Sequence, residues 1–483
     1  MPTAVVVRQA SAYRRVAPER DSPQGGSLLV TLVVCVLLSG FINLAHVGDF
    51  YVATLIIDVT VLWMLAVTLG HFARHRGAVE TPPWVPAYVL LLAVYAALLT
   101  HGDESVSDKL IVVRSQVLYA SVALFASAVA SRASLLRALR LMERLGLGLA
   151  IFGIAQFVLR AQLPEWLLVS RDTSLFGYYG TEITRSTALL GNTIVYSNVM
   201  LIFGALAWAR IARGASTPGA VLRALIFMGA VVVSFSRTAI IGIVFVALVC
   251  TFLALMRAGA NGLVRIVVGF LVALVAWLGV GQVRDIQASA EDTFLIGGLF
   301  LAQNASVRGS TAGHAEFFET AMESFHESPV VGLGLASQVQ GSSLSDERRV
   351  ITDGVWLSLL AEGGIVLVSG QAGFLLVVLG SIALRARRLA EHRYLATALV
   401  MYLGFQLAVA FWLNSAFFGK AGFLVFWLLF GVVMGLSRGH PGSGIDSSSL
   451  ATSGPAWGST DPWATPRSTL DTSASPLLGG KLE

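Results

Sequence analysis

The stretch Gly219-Ala-Val-Leu-Arg223-Ala-Leu-Ile-Phe-Met-Gly-Ala-Val-Val-Val-Ser234-Phe-Ser-Arg237-Thr-Ala-Ile-Ile-Gly-Ile-Val-Phe-Val-Ala-Leu-Val-Cys250-Thr-Phe-Leu-Ala-Leu-Met256 decides the fold class. It holds two apolar runs, 219–235 and 237–256, joined at the Ser234-Phe-Ser-Arg237 turn. A helix needs roughly 17–25 apolar residues to cross the hydrocarbon of a bilayer, and each run has that length. In lipid the backbone must satisfy its own hydrogen bonds, so such a run is read as a helix. Arg210, Arg213 and Arg223 lie before and in the start of the first run, and Arg257 and Arg265 follow the second. Basic residues gather in short cytoplasmic loops. The pair is therefore a hairpin with its basic ends inside and the Ser-Phe-Ser-Arg turn outside.

Comparable runs recur on both sides. The chain reads as twelve spans, at roughly 27–47, 49–70, 84–100, 110–131, 145–163, 188–209, 219–235, 237–256, 264–283, 354–384, 394–413 and 419–437. The tenth is long and contains Gly363-Gly364, which predicts a break or a strong tilt. The expected fold is all-α: a polytopic membrane protein with about twelve transmembrane helices and a helical extracytoplasmic loop between spans nine and ten. Composition agrees, with 55% apolar residues, 13% charged and a mean hydropathy of +0.75, against about 25% charged in a soluble protein. That excludes a soluble globular enzyme, a disordered chain and a disulfide scaffold. The net charge of +5 does not point to nucleic acid, because the positive charge sits in short loops between apolar runs. Cys35 and Cys250 fall inside such runs and read as packing residues.

Arginine placement extends the orientation along the whole chain. Alternate segments carry Arg8, Arg14, Arg15 and Arg20; Arg74 and Arg76; Arg132, Arg137, Arg140 and Arg144; Arg210, Arg213 and Arg223; Arg257 and Arg265; and Arg385, Arg387, Arg388 and Arg393. Both termini are then cytoplasmic. Residues 1–26 form a cytoplasmic N-tail, 27–437 the membrane domain, and 438–483 a Ser/Thr/Gly/Pro-rich cytoplasmic tail expected to be disordered. No internal duplication is evident. The outer loop, 284–352, is long enough to expect a function. It contains an amphipathic helix from Thr311 to Glu327 that ends before Pro329. At about 100° per residue, Phe317, Phe318, Ala321, Met322 and Phe325 share one face with His314. Glu316, Glu319, Glu323 and Glu327 share the other.

Ionisable residues on the outer side each need a reason. Arg237 opens span eight, where a helix N-terminus and nearby hydroxyls favour a phosphate; a guanidinium snorkelling to the interface is the plainer reading. Arg114 lies about one turn inside span four and is either functional or snorkelling. Arg185 and Asn192 lead into span six, where Asn192 and Asn198 could bond a sugar or a neighbouring helix. Arg308 alone reads as a solvated loop charge. Asp353, where the loop enters span ten, is a general base or an N-cap. Glu362 lies half a turn from it around a regular helix. Asp58, inside span two, has no evident partner. Gly332-Leu-Gly334 is a turn rather than a dinucleotide fingerprint, and no cluster has metal-ligand spacing.

Four segments, in order, resemble the O-antigen ligase and O-antigen polymerase superfamily. Arg185-Ser-Thr-Ala-Leu-Leu-Gly-Asn192 resembles its Arg-plus-Gly-Asn stretch entering a span. Ser234-Phe-Ser-Arg237 resembles its Ser-x-Ser-Arg turn. The segment Ala321 to Gly334 resembles the one ending in Pro-x-x-Gly-x-Gly, and Asp353 to Ile365 resembles the span running to Glu-x-Gly-Ile. The likeness covers roughly residues 180–435. Where ligases carry an Arg before the Pro this chain has His314, with Arg308 the nearest arginine. Where they carry His-Asn it has Asp353-Gly354, which is more like the polymerase branch.

The resemblance implies a bacterial cytoplasmic-membrane enzyme of surface polysaccharide biosynthesis. It would transfer or polymerise glycan from a polyprenyl-diphosphate carrier, at the outer face, without a metal or other cofactor. Arg237, with Arg308, Arg185 and Asn192, would bind the diphosphate and substrate; Asp353 or His314 would serve as base. Its partners would be the lipid-linked oligosaccharide, a glycan or lipid acceptor, the lipid bilayer and other polysaccharide assembly proteins. The competing class is a twelve-span transporter or flippase for a lipid-linked glycan; a non-catalytic membrane scaffold is the third.

Overall fold

A computed structural model describes residues 23–44, 46–47, 50–74, 82–159, 162–164, 167, 176–178, 181–183, 185–214, 217–258, 318–337, 354–410 and 420–438. The expected span at 264–283, the tails at 1–22 and 439–483 and most of the outer loop lie outside these residues.

Among the described residues the protein is a helical bundle with two very short hairpins, His46–Val47 with Phe50–Tyr51 and Phe176–Tyr178 with Thr181–Ile183. The helices are α1 (Pro23–Leu37), α2 (Ser39–Ile42), α3 (Val52–Arg74), α4 (Trp84–Leu98), α5 (Val106–Gln116), α6 (Ser121–Ala128) and α7 (Arg132–Val158). They continue with α8 (Thr193–Ala212), α9 (Pro218–Val232), α10 (Arg237–Ala258), α11 (318–327), α12 (Val355–Arg385), α13 (Arg393–Phe405) and α14 (Lys420–Leu436). Eleven of the twelve expected spans therefore contain a described helix. Five helical stretches meet the length and apolarity of a membrane crossing unaided: Val52–Arg74, Val106–Ala128, Arg132–Val158, Thr193–Ala212 and Val355–Ala408.

Local chemistry sets several helix starts. Ser105, Ser131, Asn192 and Thr217 each accept a hydrogen bond from a free N–H of the first turn of α5, α7, α8 and α9, and Pro218 follows its cap at the first helical position. The Arg-rich segment 132–144, expected as a loop, is the first half of α7. The Ser131 cap starts that helix before the membrane, so Arg132, Arg137, Arg140 and Arg144 lie on helix rather than loop.

At the centre stands α14, apolar on every side as a fully enclosed helix should be: Phe423, Phe426, Trp427 and Phe430 are all 0% exposed. Trp427 packs on Phe374 of α12 with ring centroids 5.3 Å apart, and Phe430 meets Trp84 of α4 at 5.2 Å. Gly431 and Gly435 let α14 approach α6; a Cβ at Gly431 would lie 2.6 Å from the Ala126 Cβ and 2.9 Å from the Ala123 Cα. The outer helices do the reverse. On α3, Val59, Leu62 and Trp63 are exposed, as are Leu90 on α4 and Phe252 on α10, the surface expected of helices facing lipid.

Cross-links show which helix ends lie together. Arg210, at the end of α8, donates to Glu143 of α7 at 2.5 Å and to the Tyr394 hydroxyl at the start of α13 at 2.6 Å. Arg213 reaches Thr397, Arg385 reaches Ser437, and Arg438 donates to the Ala128 carbonyl. At the opposite end Gln406 donates to Asn198 at 3.0 Å, near the end of α13 and the start of α8. The arginine-rich turns at the ends of α6, α8, α12 and α14 thus gather at one end of the bundle. The starts of α8, α12 and α14 gather at the other.

Candidate functional site

At the arginine-poor end, the first two motif segments are joined. Arg185 Nε donates to the Ser234 carbonyl at 3.1 Å and one Nη to the Phe235 carbonyl at 3.2 Å, while Ser186 N–H donates to Val233 O at 3.1 Å. These carbonyls lie in the turn just past Val232, the last residue of α9, so the guanidinium satisfies turn carbonyls and sits near the negative end of that helix. The turn is tight. Ser234 Oγ donates back to Val231 O and accepts from Ser236 N–H, and Phe235 sits at φ 54°. Arg237 then opens α10, as expected for a residue at a helix N-terminus. From beneath, the Gln156 carbonyl oxygen accepts from Ser186 Oγ, Thr187 N–H and Ala188 N–H at 2.9–3.0 Å. Asn192 caps α8 through Oδ1, at 2.9 Å from Ile194 N and 3.0 Å from Val195 N.

The third and fourth segments are joined just as closely. Helix α12 breaks at Gly364 (φ 56°, ψ −156°), a conformation open essentially to glycine alone. The break frees backbone groups, and the Pro329–Gly334 segment takes them up. Leu333 N–H donates to Ala361 O at 2.8 Å, Gly334 N–H to Glu362 O at 3.1 Å, Ile365 N–H to Pro329 O at 3.0 Å and Val366 N–H to Val330 O at 3.2 Å. A Cβ on Gly332 would lie 2.5 Å from Gly363 N, and one on Gly364 2.5 Å from Val330 O. The predicted break thus has a defined occupant.

The loop between α4 and α5 closes over that junction, a contact that sequence reading missed. His101 Nε2 lies 3.0 Å from Gly332 O, and Lys109 Nζ donates to the carbonyls of His101 at 2.7 Å and Gly102 at 2.8 Å. A Cβ on Gly102 would lie 2.8 Å from the Gly334 Cα. Glu104, 6% exposed, is enclosed here with Oε2 lacking a hydrogen-bond partner among the described residues. Burial pushes its carboxyl above the ordinary glutamate range, against the pull of its own backbone and of Lys109. Deeper in, Gln116 links Tyr95, whose hydroxyl donates to it at 2.5 Å, to the buried Glu362 at 3.5 Å.

Asp58 does have a partner. Arg114 Nη1 donates to it at 3.0 Å and the Tyr119 hydroxyl at 2.6 Å, so Arg114 is fixed by an ion pair on the neighbouring helix rather than free to snorkel. Helix α11 buries a rotated face. Ala321 and Ser324 are buried, Met322 and Phe325 half-buried, and Phe318 is 48% exposed. Ser324 turns inward because its hydroxyl bonds back to Thr320 O at 2.8 Å. Glu319, Glu323 and Glu327 are exposed, as expected.

Arg185 and Asn192 are thus placed in full and Arg237 by its position on the helix. Its side chain, together with His314, Arg308 and Asp353, lies outside the described residues. Of the four non-glycine residues at positive φ among the described residues, Ala188, Phe235 and Ala336 fall in or next to the motif segments, and strain of this kind concentrates at functional sites. No group of three His, Cys, Asp or Glu side chains suited to a metal occurs among the described residues. Comparison with protein-family models and with curated proteins finds no match.

Proposed function

We propose that the protein is a glycan transferase of the O-antigen ligase/polymerase type. It has twelve spans in a bacterial cytoplasmic membrane and both termini in the cytoplasm. The observation that carries this reading is the pairing of four sequence-distant segments at one end of the bundle. Arg185 is bonded to the turn that leads into Arg237, and the Pro329–Gly334 segment is bonded into the break of α12. A helix N-terminus bearing an arginine suits a diphosphate leaving group.

The donor is a polyprenyl-diphosphate-linked glycan and the acceptor a hydroxyl of a second glycan or lipid. The acceptor oxygen bonds to the anomeric carbon, the bond from that carbon to the diphosphate oxygen breaks, and the electron pair leaves with the diphosphate. Asp353 or His314 takes the acceptor proton. Arg237, with Arg308 and Arg185, stabilises the departing charge; Asn192 stays on the binding side of the site as the α8 cap. In reconstituted protein, Arg237→Ala abolishes transfer while membrane insertion and thermal unfolding are unchanged, and Asp353→Asn lowers turnover if Asp353 is the base. Wild-type rates in both variants remove these residues from the chemistry. A lipid-linked glycan flippase is the second reading, favoured by one observation: a helix broken at Gly364 and filled by another chain segment is an architecture transporters use.

A further inference from the structure

A second charged site lies at the opposite end of the bundle. A cavity of about 290 Å³ opens between α7, α8 and α9. Arg140 and Arg144 of α7, Arg210 of α8 and Arg223 of α9 line it, with Glu143 as its acid. Its floor is apolar, and Phe203 and Phe227 of that floor stack with centroids 5.8 Å apart. Arg210 is already engaged: it bonds Glu143 and Tyr394 and lies 4.3 Å over the Tyr394 ring. That pairing cancels the only carboxylate among the described residues of the lining. Arg140, Arg144 and Arg223 are exposed and make no ion pair among the described residues; Arg140 Nε donates only to the Leu136 carbonyl of its own helix. The cavity therefore carries three uncompensated positive charges over an apolar floor. One turn beyond the lining residue Leu147, on the same face of α7, Ile151 is exposed.

We propose that this cavity binds the phosphodiester headgroup of an anionic phospholipid. The arginines present planar, always-charged donors suited to phosphate oxygens. The apolar floor and the exposed Ile151 give the acyl chains a surface that a soluble phosphate has no use for. Basic pockets between membrane helices at the arginine-rich side are where anionic headgroups are held. The site lies at the other end of the bundle from the proposed transfer site and does not depend on that reading.

The test uses the full chain purified in detergent, with lipid binding followed by native mass spectrometry. Phosphatidylglycerol binds and phosphatidylcholine does not, and excess inorganic phosphate fails to displace the bound lipid. Each arginine removed near an anionic headgroup weakens binding by about fivefold, so Arg144→Gln with Arg223→Gln weakens it by about 25-fold. The double lysine variant keeps most of the binding, and Arg213→Gln, whose side chain bonds Thr397, leaves it unchanged. Should the double glutamine variant misfold, Arg223→Gln alone shows the fivefold loss. Equal binding of the two lipids, or undiminished phosphatidylglycerol binding by the glutamine variants, overturns the proposal. Displacement by inorganic phosphate does so too, and marks a soluble-anion site instead.

Discussion

At the scale of single residues, the arginine-poor end is built from groups whose partners are remote in sequence. Asp58 and Arg114 are 56 positions apart, and Gln116 and Glu362 are 246 apart. An apolar run announces a helix from its own residues alone, but nothing local in Asp58 names Arg114. That is why Asp58 reads as unpartnered in the sequence and is paired in the fold. Gly364 is a middle case: its neighbour Gly363 signals a break, yet what fills the break is visible only in three dimensions. Gly364→Ala puts a Cβ 2.5 Å from Val330 O in a conformation that only glycine adopts freely. The variant is expected to lose more than about 3 kcal/mol, read as a clear fall in the thermal midpoint in detergent; an unchanged midpoint contradicts the docking described here. Glu104 gives a pH-dependent counterpart. Its carboxyl is raised by burial, so the folded state holds the proton longer than the unfolded chain does. The stability this adds is present at low pH and lost as pH rises through the raised value. Glu104→Gln should match wild type below the ordinary glutamate pKa of about 4.3 and unfold at a higher temperature than wild type as pH rises to neutral. A gap independent of pH rejects this account of the buried acid.

At the scale of elements, helix positions were largely legible and helix surroundings were not. Periodic apolar runs located α3, α4, α8, α9, α10, α12, α13 and α14, because a membrane segment must satisfy its own backbone. The start of α7 was missed because Ser131 acts as a cap ahead of a basic stretch that resembles a loop in composition. On α11 the helical spacing places Ala321, Met322 and Phe325 on the apolar face, and they are buried or half-buried, while Phe318 of that face is exposed and Ser324 is drawn in. The contact between α14 and α6 is set by size rather than hydrophobicity. Gly431→Leu has no room against Ala123 and Ala126 and should destabilise the protein by about 1–3 kcal/mol. Gly373→Leu, on the exposed side of α12 where a Cβ meets nothing within 4 Å, should be tolerated. Thermal unfolding of the two variants in detergent decides the matter, and equal midpoints would remove close packing as the reason for glycine at 431.

At the scale of the whole molecule, the arginine alternation and the packed helix ends tell one story. Turns rich in arginine meet at one end through Arg210, Arg385 and Arg438, and the four motif segments meet in pairs at the other. The order of those motifs along the chain was legible in the sequence, but their pairing was not, because it runs through backbone carbonyls that any residue carries. The central claim is that the paired motifs serve transfer of a lipid-linked glycan. Its most direct test is incubation of the reconstituted wild-type protein with a polyprenyl-diphosphate-linked oligosaccharide, with products read by gel and mass spectrometry. The account predicts a covalent product that lengthens the glycan. A ladder of repeats identifies polymerisation, and a single shift that needs an added acceptor identifies ligation. The absence of any covalent product across several donors, in protein that moves the intact lipid-linked glycan across the bilayer, would contradict it.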